Sequence, residues 1–315
     1  MTDQVTQNSE AAIAAGSQSF AAAARLFDRR TRHDAVMLYA WCRHCDDVID
    51  GQTLGHQSEE TQARTPLERL AALERQTEAA LSGKTGLPQT FEALQRVVRS
   101  NAISNRYPLD LLEGFRMDVE GRVYRTIQEL ELYCYHVAGV VGIMMALIMG
   151  TRDEDALDRA CDLGIAFQLT NIARDLVEDA HAGRSYAPTE YLAEAGMAAI
   201  DPKRLSQADQ IHGVALALLA RADHYYASAY AGLSFLPARS AWAIAAALRI
   251  YRAIGQKIRS NGPSKWDQRA TTSRWTKLGL VGLATTDVVS SRIHKPLRPR
   301  TTLFNRRLVH PFPAA

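Results

Sequence analysis

Two acid-rich runs hold the residue types best suited to chemistry. Asp46-Asp47-Val48-Ile49-Asp50 is one, and Asp175-Leu176-Val177-Glu178-Asp179 is the other. On a helix, positions four apart differ by about 40° in azimuth, so Asp46 and Asp50 share a face, as do Asp175 and Asp179. Carboxylates held so close repel each other and gain from a shared cation. Mg²⁺ suits such a pair, because it takes a few carboxylate oxygens, keeps waters and completes its shell with substrate phosphate. Each run also ends its helix, where outward-facing carbonyls favour a cation further.

An acidic pair by itself says little. With 34 Asp plus Glu in 315 residues, about four i,i+4 acidic pairs arise by chance. Glu154/Asp158 and Asp158/Asp162 are two of them, and they read as a solvated face. The context of the two runs is more telling. Tyr39, Arg43, Asp46 and Asp50 form one polar stripe, and Gln168, Asn171, Asp175 and Asp179 form a second. Polar groups lined along an apolar-rich helix fit a water-filled or ligand-filled cavity. Arg43 and Arg174 flank the acids and could neutralise diphosphate oxygens. The chemistry indicated is metal–diphosphate chemistry, and a polar structural network is the other reading of the same residues.

The elements that must carry these side chains are helical. Ala11–Arg29 and His33–Asp50 are predicted Ala-rich helices, with Gly51 closing the second. Thr65-Pro66-Leu67-Glu68 reads as a capping box with proline in the first turn, opening a helix that ends near Ser82. Pro108 opens a short helix over Leu109–Asp118. Long helices are predicted over Gln128–Gly150, Asp153–Asp179, Ala208–Leu236 and Ala238–Arg259, with Asn261-Gly262-Pro263 stopping the last. The longest apolar run, Val137–Gly150, falls short of the roughly 20 residues of a spanning helix and reads as buried core.

Composition narrows the class. Nearly half of the residues are apolar and Val/Ile/Thr-rich alternation is scarce, so the expectation is an all-α chain with a sizeable core. A net charge of +3 gives no case for nucleic acid. No G-x-G-x-x-G follows a strand, so no NADPH or other nicotinamide subdomain is expected. Cys42 and Cys45 form a lone C-x-x-C; a zinc site would want a second pair. With Cys134 and Cys161 they read as reduced, mostly buried thiols. The opening MTDQVTQNSE lacks a basic start and apolar stretch, so no signal peptide is predicted and a cytoplasmic location is expected. Three segments are drawn: an N-terminal extension at 1–16, a main domain at 17–287, and a basic tail at 288–315. That tail holds Arg292, Lys295, Arg298, Arg300, Arg306 and Arg307 and no acid. It could bind an anionic membrane surface, with Leu303 and Phe304 as apolar anchors, or it could only aid solubility.

The motifs together resemble a known family. Tyr39-Ala-Trp-Cys-Arg43-His-Cys-Asp46-Asp47-Val-Ile-Asp50 is similar to the first signature of squalene/phytoene synthases. Tyr133-Cys-Tyr-His-Val-Ala-Gly-Val-Val-Gly142 looks like their central segment. Gln168-Leu-Thr-Asn171-Ile-Ala-Arg174-Asp175 through Asp179, followed by Gly183-Arg184-Ser-Tyr186-Ala-Pro188, is similar to the second signature. The resemblance runs in order from about Ser17 to Lys277 and is closest to the bacterial members that make phytoene.

What the resemblance implies is specific. The fold would be a single-domain, all-α isoprenoid-synthase helical bundle with a central cavity. Asp46, Asp50, Asn171, Asp175 and Asp179 would hold Mg²⁺, with Mn²⁺ as a substitute. Arg43, Gln168, Arg174 and Arg269 would contact diphosphate, Ser19 and Phe20 would lie over the substrate, and Tyr133 and Tyr186 would join the catalytic set. Without the family, both tyrosines read better as core residues with satisfied hydroxyls. Asp118 matches a motif at the cavity wall. The reaction implied joins two geranylgeranyl diphosphates head to head through a cyclopropyl intermediate, giving phytoene in carotenoid biosynthesis. A released diphosphate or a tyrosine could take the final proton. A dehydrosqualene or squalene synthase acting on farnesyl diphosphate is the alternative. A non-catalytic assembly protein on the same fold is the third reading, and it should have lost some of the aspartates. Peripheral membrane contact and contact with other carotenoid-pathway enzymes are further expectations.

Overall fold

The computed structural model describes residues 26–53, 56–57, 64–203, 205–263, 266, 270–293 and 299–309. Among them, eleven α-helical segments account for nearly all regular structure, beside one two-stranded antiparallel hairpin, β1 Gln52–Thr53 with β2 His56–Gln57. The helices are α1 Arg29–Ile49, α2 Pro66–Leu81, α3 Gln89–Ser100, α4 Arg106–Val119, α5 Ile127–Cys134, α6 Val140–Ile148, α7 Glu154–His181, α8 Thr189–Glu194, α9 Ala208–Gly232, α10 Ala238–Asn261 and α11 Arg274–Ile293. The all-α expectation holds.

Local chemistry explains most boundaries. Asp28 caps α1 through the amides of Arg30 and Thr31. Thr65 and Glu68 form the reciprocal capping box that opens α2. Asp153 caps α7 through the Ala156 amide at 2.9 Å. Gly51, Gly150 and Gly183 follow the ends of α1, α6 and α7 with φ of 71°, 93° and 74°, a conformation that side chains with a Cβ resist.

The central helix is α7. It packs against α6, α9 and α10, and most of its residues between Ala156 and Leu176 are buried. Its approach to α6 and to the turn just before it is set by glycine. A Cβ on Gly164 would stand 2.2 Å from the Ala138 carbonyl oxygen, and one on Gly142 would stand 2.2 Å from the Ala160 carbonyl oxygen. Backbone meets backbone there, so a methyl group has nowhere to go.

Several expectations are corrected. The helix predicted over Gln128–Gly150 is interrupted by a π-helical turn at Tyr135–Gly139, which divides α5 from α6. The wider turn accompanies a buried contact of the His136 Nδ1 with the Asp110 carbonyl at 2.9 Å. Together Ile127–Ile148 is long and apolar enough to cross a bilayer, longer than the apolar run suggests, yet it is mostly buried inside the bundle as a core helix. Helix α9 tightens into a 3₁₀ turn at Leu233–Phe235 before the predicted end. Helices α3, α8 and α11 were not anticipated. Phe91, Leu94 and Val98 at helical spacing were a usable signal for α3. The chain does break at Gly262, but α11 follows and packs on α10. The boundary drawn at residue 287 falls inside α11.

The acids read as a solvated face are the largest correction. Asp158 and Asp162 are buried. Arg300 grips Asp162 through Nε at 2.6 Å and Nη2 at 2.7 Å, and reaches Asp158 at 3.1 Å. Arg306, itself buried, meets Asp158 at 2.5 Å and also pairs with Glu154. Ser228 adds a hydrogen bond to Asp162 at 2.5 Å. Two arginines of the supposed free basic tail are therefore internal counter-charges. Phe304 packs on the Tyr135 ring, with its amide bonded to the Tyr225 hydroxyl, so it is no lipid anchor. Charges this deep persist only when paired, which is why the acids and the distant arginines had to be read together.

Candidate active site

The two acidic runs reach one place by different routes. Asp46 and Asp50 sit at the C-terminal end of α1, and Asp175 and Asp179 sit two turns and one turn from the end of α7. Arg184, just past the Gly183 turn, links them. Its Nη2 donates to Asp50 Oδ1 at 2.6 Å. Its charge also acts on Asp46, Asp118 and Asp179. A cation shared among four carboxylates from three helices is the centre of the site. A cleft of about 220 Å³ opens beside it, along Asp179, Arg184 and Tyr186.

The carboxylates carry the marks of crowding. Burial, and then the neighbouring Asp50, push Asp46 up to about 6. Burial, and then Asp175, push Asp179 up to about 7. Arg43 donates to Asp46 at 3.0 Å and stands in an ion pair with the buried Asp47 at 2.7 Å. Arg174 forms a two-point pair with its neighbour Asp175, at 2.7 and 2.5 Å. Asn171 donates to Gln168 at 3.4 Å, so both amides lie on the predicted stripe of α7.

A tyrosine cluster forms the wall beneath. The hydroxyls of Tyr133 and Tyr186 both donate to Asp118, at 3.0 and 2.9 Å. Their rings stack with centroids 5.1 Å apart, and Tyr124 tilts onto Tyr133 at 5.3 Å. Burial holds Asp118 up at about 6 despite these two donors. Burial and the Asp118 charge keep both phenols well above their ordinary value, so they stay protonated.

Arg43, Asp46, Asp50, Asp175, Asp179, Tyr133 and Tyr186 are thus brought to one region, with Gln168, Asn171 and Arg174 on the same helix stripe. Ser19, Phe20 and Arg269 lie outside the described residues. Arg184 was quoted only as part of a motif, and its role as the shared cation was missed. Its signal was there: a basic residue five positions after Asp179, beyond a helix-ending glycine.

Residues 13–276 match the model of the squalene/phytoene synthase family. The chain belongs to that family. It is 52% identical over 293 residues to a 15-cis-phytoene synthase of Paracoccus sp., covering 93% of this chain and 94% of that one. It is 49% identical to a 15-cis-phytoene synthase of Pantoea ananas, covering 91% and 93%. Among solved structures, a dehydrosqualene synthase in complex with ligand matches with a TM-score of 0.81 at 29% identity, covering 91% of this chain and 97% of that one. A squalene synthase from Alicyclobacillus acidocaldarius shares the fold, with a TM-score of 0.70 at 23% identity over 82% and 92%. The isoprenoid-synthase bundle expected from the motifs is the fold observed.

The family's expected Mg²⁺ can be tested against the donors present. Among the described residues, no three His, Cys, Asp or Glu side chains converge tightly enough to hold a metal alone. The set still fits Mg²⁺. Each run supplies two carboxylates, one of them raised by its neighbour, and Mg²⁺ takes the remainder of its shell from water and phosphate. A site completed by substrate need not be closed by protein.

Proposed function

We propose that this chain condenses two geranylgeranyl diphosphates head to head, through a cyclopropyl diphosphate, into phytoene for carotenoid biosynthesis. The observation that carries this reading is likeness near 50% identity along nearly the whole length of proteins named 15-cis-phytoene synthase. The geometry supports it: Asp179 and Arg184 line the cleft, and Arg184 ties them to Asp50 of the other acidic run.

Asp46, Asp50, Asp175 and Asp179, with Asn171, would hold Mg²⁺, which when bound withdraws charge from a departing diphosphate. Arg43, Arg174 and Arg184 orient the phosphates and share the developing negative charge. Tyr133 and Tyr186, protonated and fixed by Asp118, act as hydrogen-bond donors at the cavity wall. That protonation leaves the released diphosphate as the base for the final proton loss. The apolar side chains lining α5, α6 and α7 keep water from a reactive allylic cation. We further place the enzyme in the cytoplasm, beside other carotenoid-pathway enzymes, with no requirement for NADPH.

Competition of geranylgeranyl and farnesyl diphosphates in one tube, with Mg²⁺ and with or without NADPH, tests the reading. Phytoene should dominate in both cases. Preference for the farnesyl substrate would turn the assignment to a dehydrosqualene or squalene synthase, a reading favoured by the 0.81 TM-score neighbour. No product from either would leave the non-catalytic alternative.

A further inference from the structure

Helix α11 packs Val281, Ala284 and Val288 on the core and still carries a second, larger apolar face that is exposed. Among the described residues, eleven large apolar side chains are exposed, and five of them lie on its twenty residues: Trp275, Leu278, Leu283, Val289 and Ile293. Trp275 is 83% exposed and Ile293 is 70% exposed. Its buried residues are instead Ala284, Asp287 and Ser291. On a helical projection the five apolar residues span an arc of about 140°, and the buried three lie on the opposite side. Ordinary surface helices turn the apolar stripe to the core and the polar one to solvent.

The inward polar residues have partners. Asp287 is the helix's one acid, and it is paired with Arg249 and bonded by the Tyr230 hydroxyl at 3.2 Å. Trp242 donates to the Val281 carbonyl at 2.9 Å. The helix is thus docked on α10 in a definite orientation, with Val281, Ala284 and Val288 inward and the face of five large apolar residues outward. Arg292 fixes the far end through the carbonyls of Ser234 and Leu236, which brings the partly exposed Phe235 beside that end.

We infer that the outward face of α11 is a docking surface for an anionic lipid bilayer, with the helix lying in the interfacial plane. Charge decides for lipid. Arg274, Lys277 and Arg292 are the helix's ionised groups besides Asp287, whose charge is already neutralised by Arg249. Arg274 and Arg292 lie along one edge of the exposed face and Lys277 on the side away from it, so the face combines large apolar side chains, a basic edge and no acid, the composition of an interfacial helix. The apolar stripe from Trp275 to Ile293 is about 27 Å long. A tryptophan stands at one end, as suits the headgroup boundary. The inference rests on the proposed function only for why a bilayer would be visited: substrates and product with long hydrocarbon chains. It also replaces the basic tail as the expected anchor, since Arg300 and Arg306 are buried in ion pairs.

Co-sedimentation of the full chain with phosphatidylcholine–phosphatidylglycerol vesicles tests this, against the variant L278Q/L283Q/V289Q. All three side chains are exposed, so the variant should melt with the wild type. Its vesicle partition should fall roughly tenfold or more, and wild-type binding should weaken with salt and with pure phosphatidylcholine. Subtracting the emission of Trp275→Phe isolates Trp275. That signal should be red-shifted in buffer and move to the blue with anionic vesicles. Equal partition of variant and wild type would overturn the inference. So would Trp275 emission already blue in buffer, or a wild-type dimer that the triple variant converts to monomer, since the face would then be covered by protein. Turnover measured in detergent micelles separates the two readings: it should be equal in both proteins, and its absence would count against the proposed reaction without touching the vesicle result.

Discussion

Replacing Asp179 by Asn should make the metal-free protein more stable while stopping catalysis. Asp179 is held up at about 7, against an ordinary 3.8. The unfolded carboxyl loses its proton from about pH 4, but the folded one loses it only near pH 7. Between these values the folded state binds more protons, so stability falls as pH rises through that window and levels off above it. A gap of about three pH units corresponds to roughly 4 kcal/mol, at 1.36 kcal/mol per unit. The carboxylate is partly exposed and coupled to Asp175, so solvent screening leaves about 1–2 kcal/mol. For a chain of this length that is an increase of about 2–5 °C in melting temperature. The assay is thermal melting of both proteins in excess chelator from pH 4 to pH 8. The variant's advantage should be absent at pH 4, grow to pH 7 and then stay constant. Adding Mg²⁺ with inorganic diphosphate should stabilise the wild type more than the variant, because binding favours the ionised form. A variant that melts below the wild type at pH 8 in chelator would refute the reasoning, since Asp179 would then be a structural acid.

Asp46→Ala or Asp175→Ala should abolish product formation with melting close to wild type, because each removes one carboxylate of a pair proposed to hold Mg²⁺; wild-type turnover in either would sink the assignment. Arg306→Met should lower stability by about 1–3 kcal/mol, because it removes one hydrogen-bonded partner of the buried Asp158 and leaves Arg300 at 3.1 Å and Arg307 at 3.7 Å; denaturant titration reads this, and a change below about 1 kcal/mol would mean that the Arg306 pair is incidental. Gly164→Ala should destabilise the fold by about 1–3 kcal/mol, since its methyl group meets backbone rather than a movable side chain; an unchanged melting curve would show that α7 and the turn just before α6 can separate at no cost.

The candidate site was legible in the sequence because its signals are local. Asp46 with Asp50 and Asp175 with Asp179 share helix faces by spacing alone, and Thr65 and Asp153 announce helix starts through side chains one turn away, whereas Asp28, placed inside the predicted helix Ala11–Arg29, caps α1 instead. Residues such as Arg43 and Asn171 follow from the same periodicity. Tertiary structure decided what depends on distant partners. Asp158 and Asp162 have the same spacing as the pairs of the candidate site, and nothing within a helical turn says that Arg300 and Arg306, more than a hundred residues later, neutralise them. Arg184 becomes the shared cation only when the ends of α1 and α7 meet. The π turn at Tyr135–Gly139 answers to contacts with α4 and α7, not to its own propensities. Helix α11 reads as an unremarkable apolar run until its docking on α10 shows which side is buried, because periodicity gives the faces of a helix but only packing says which of them meets the core.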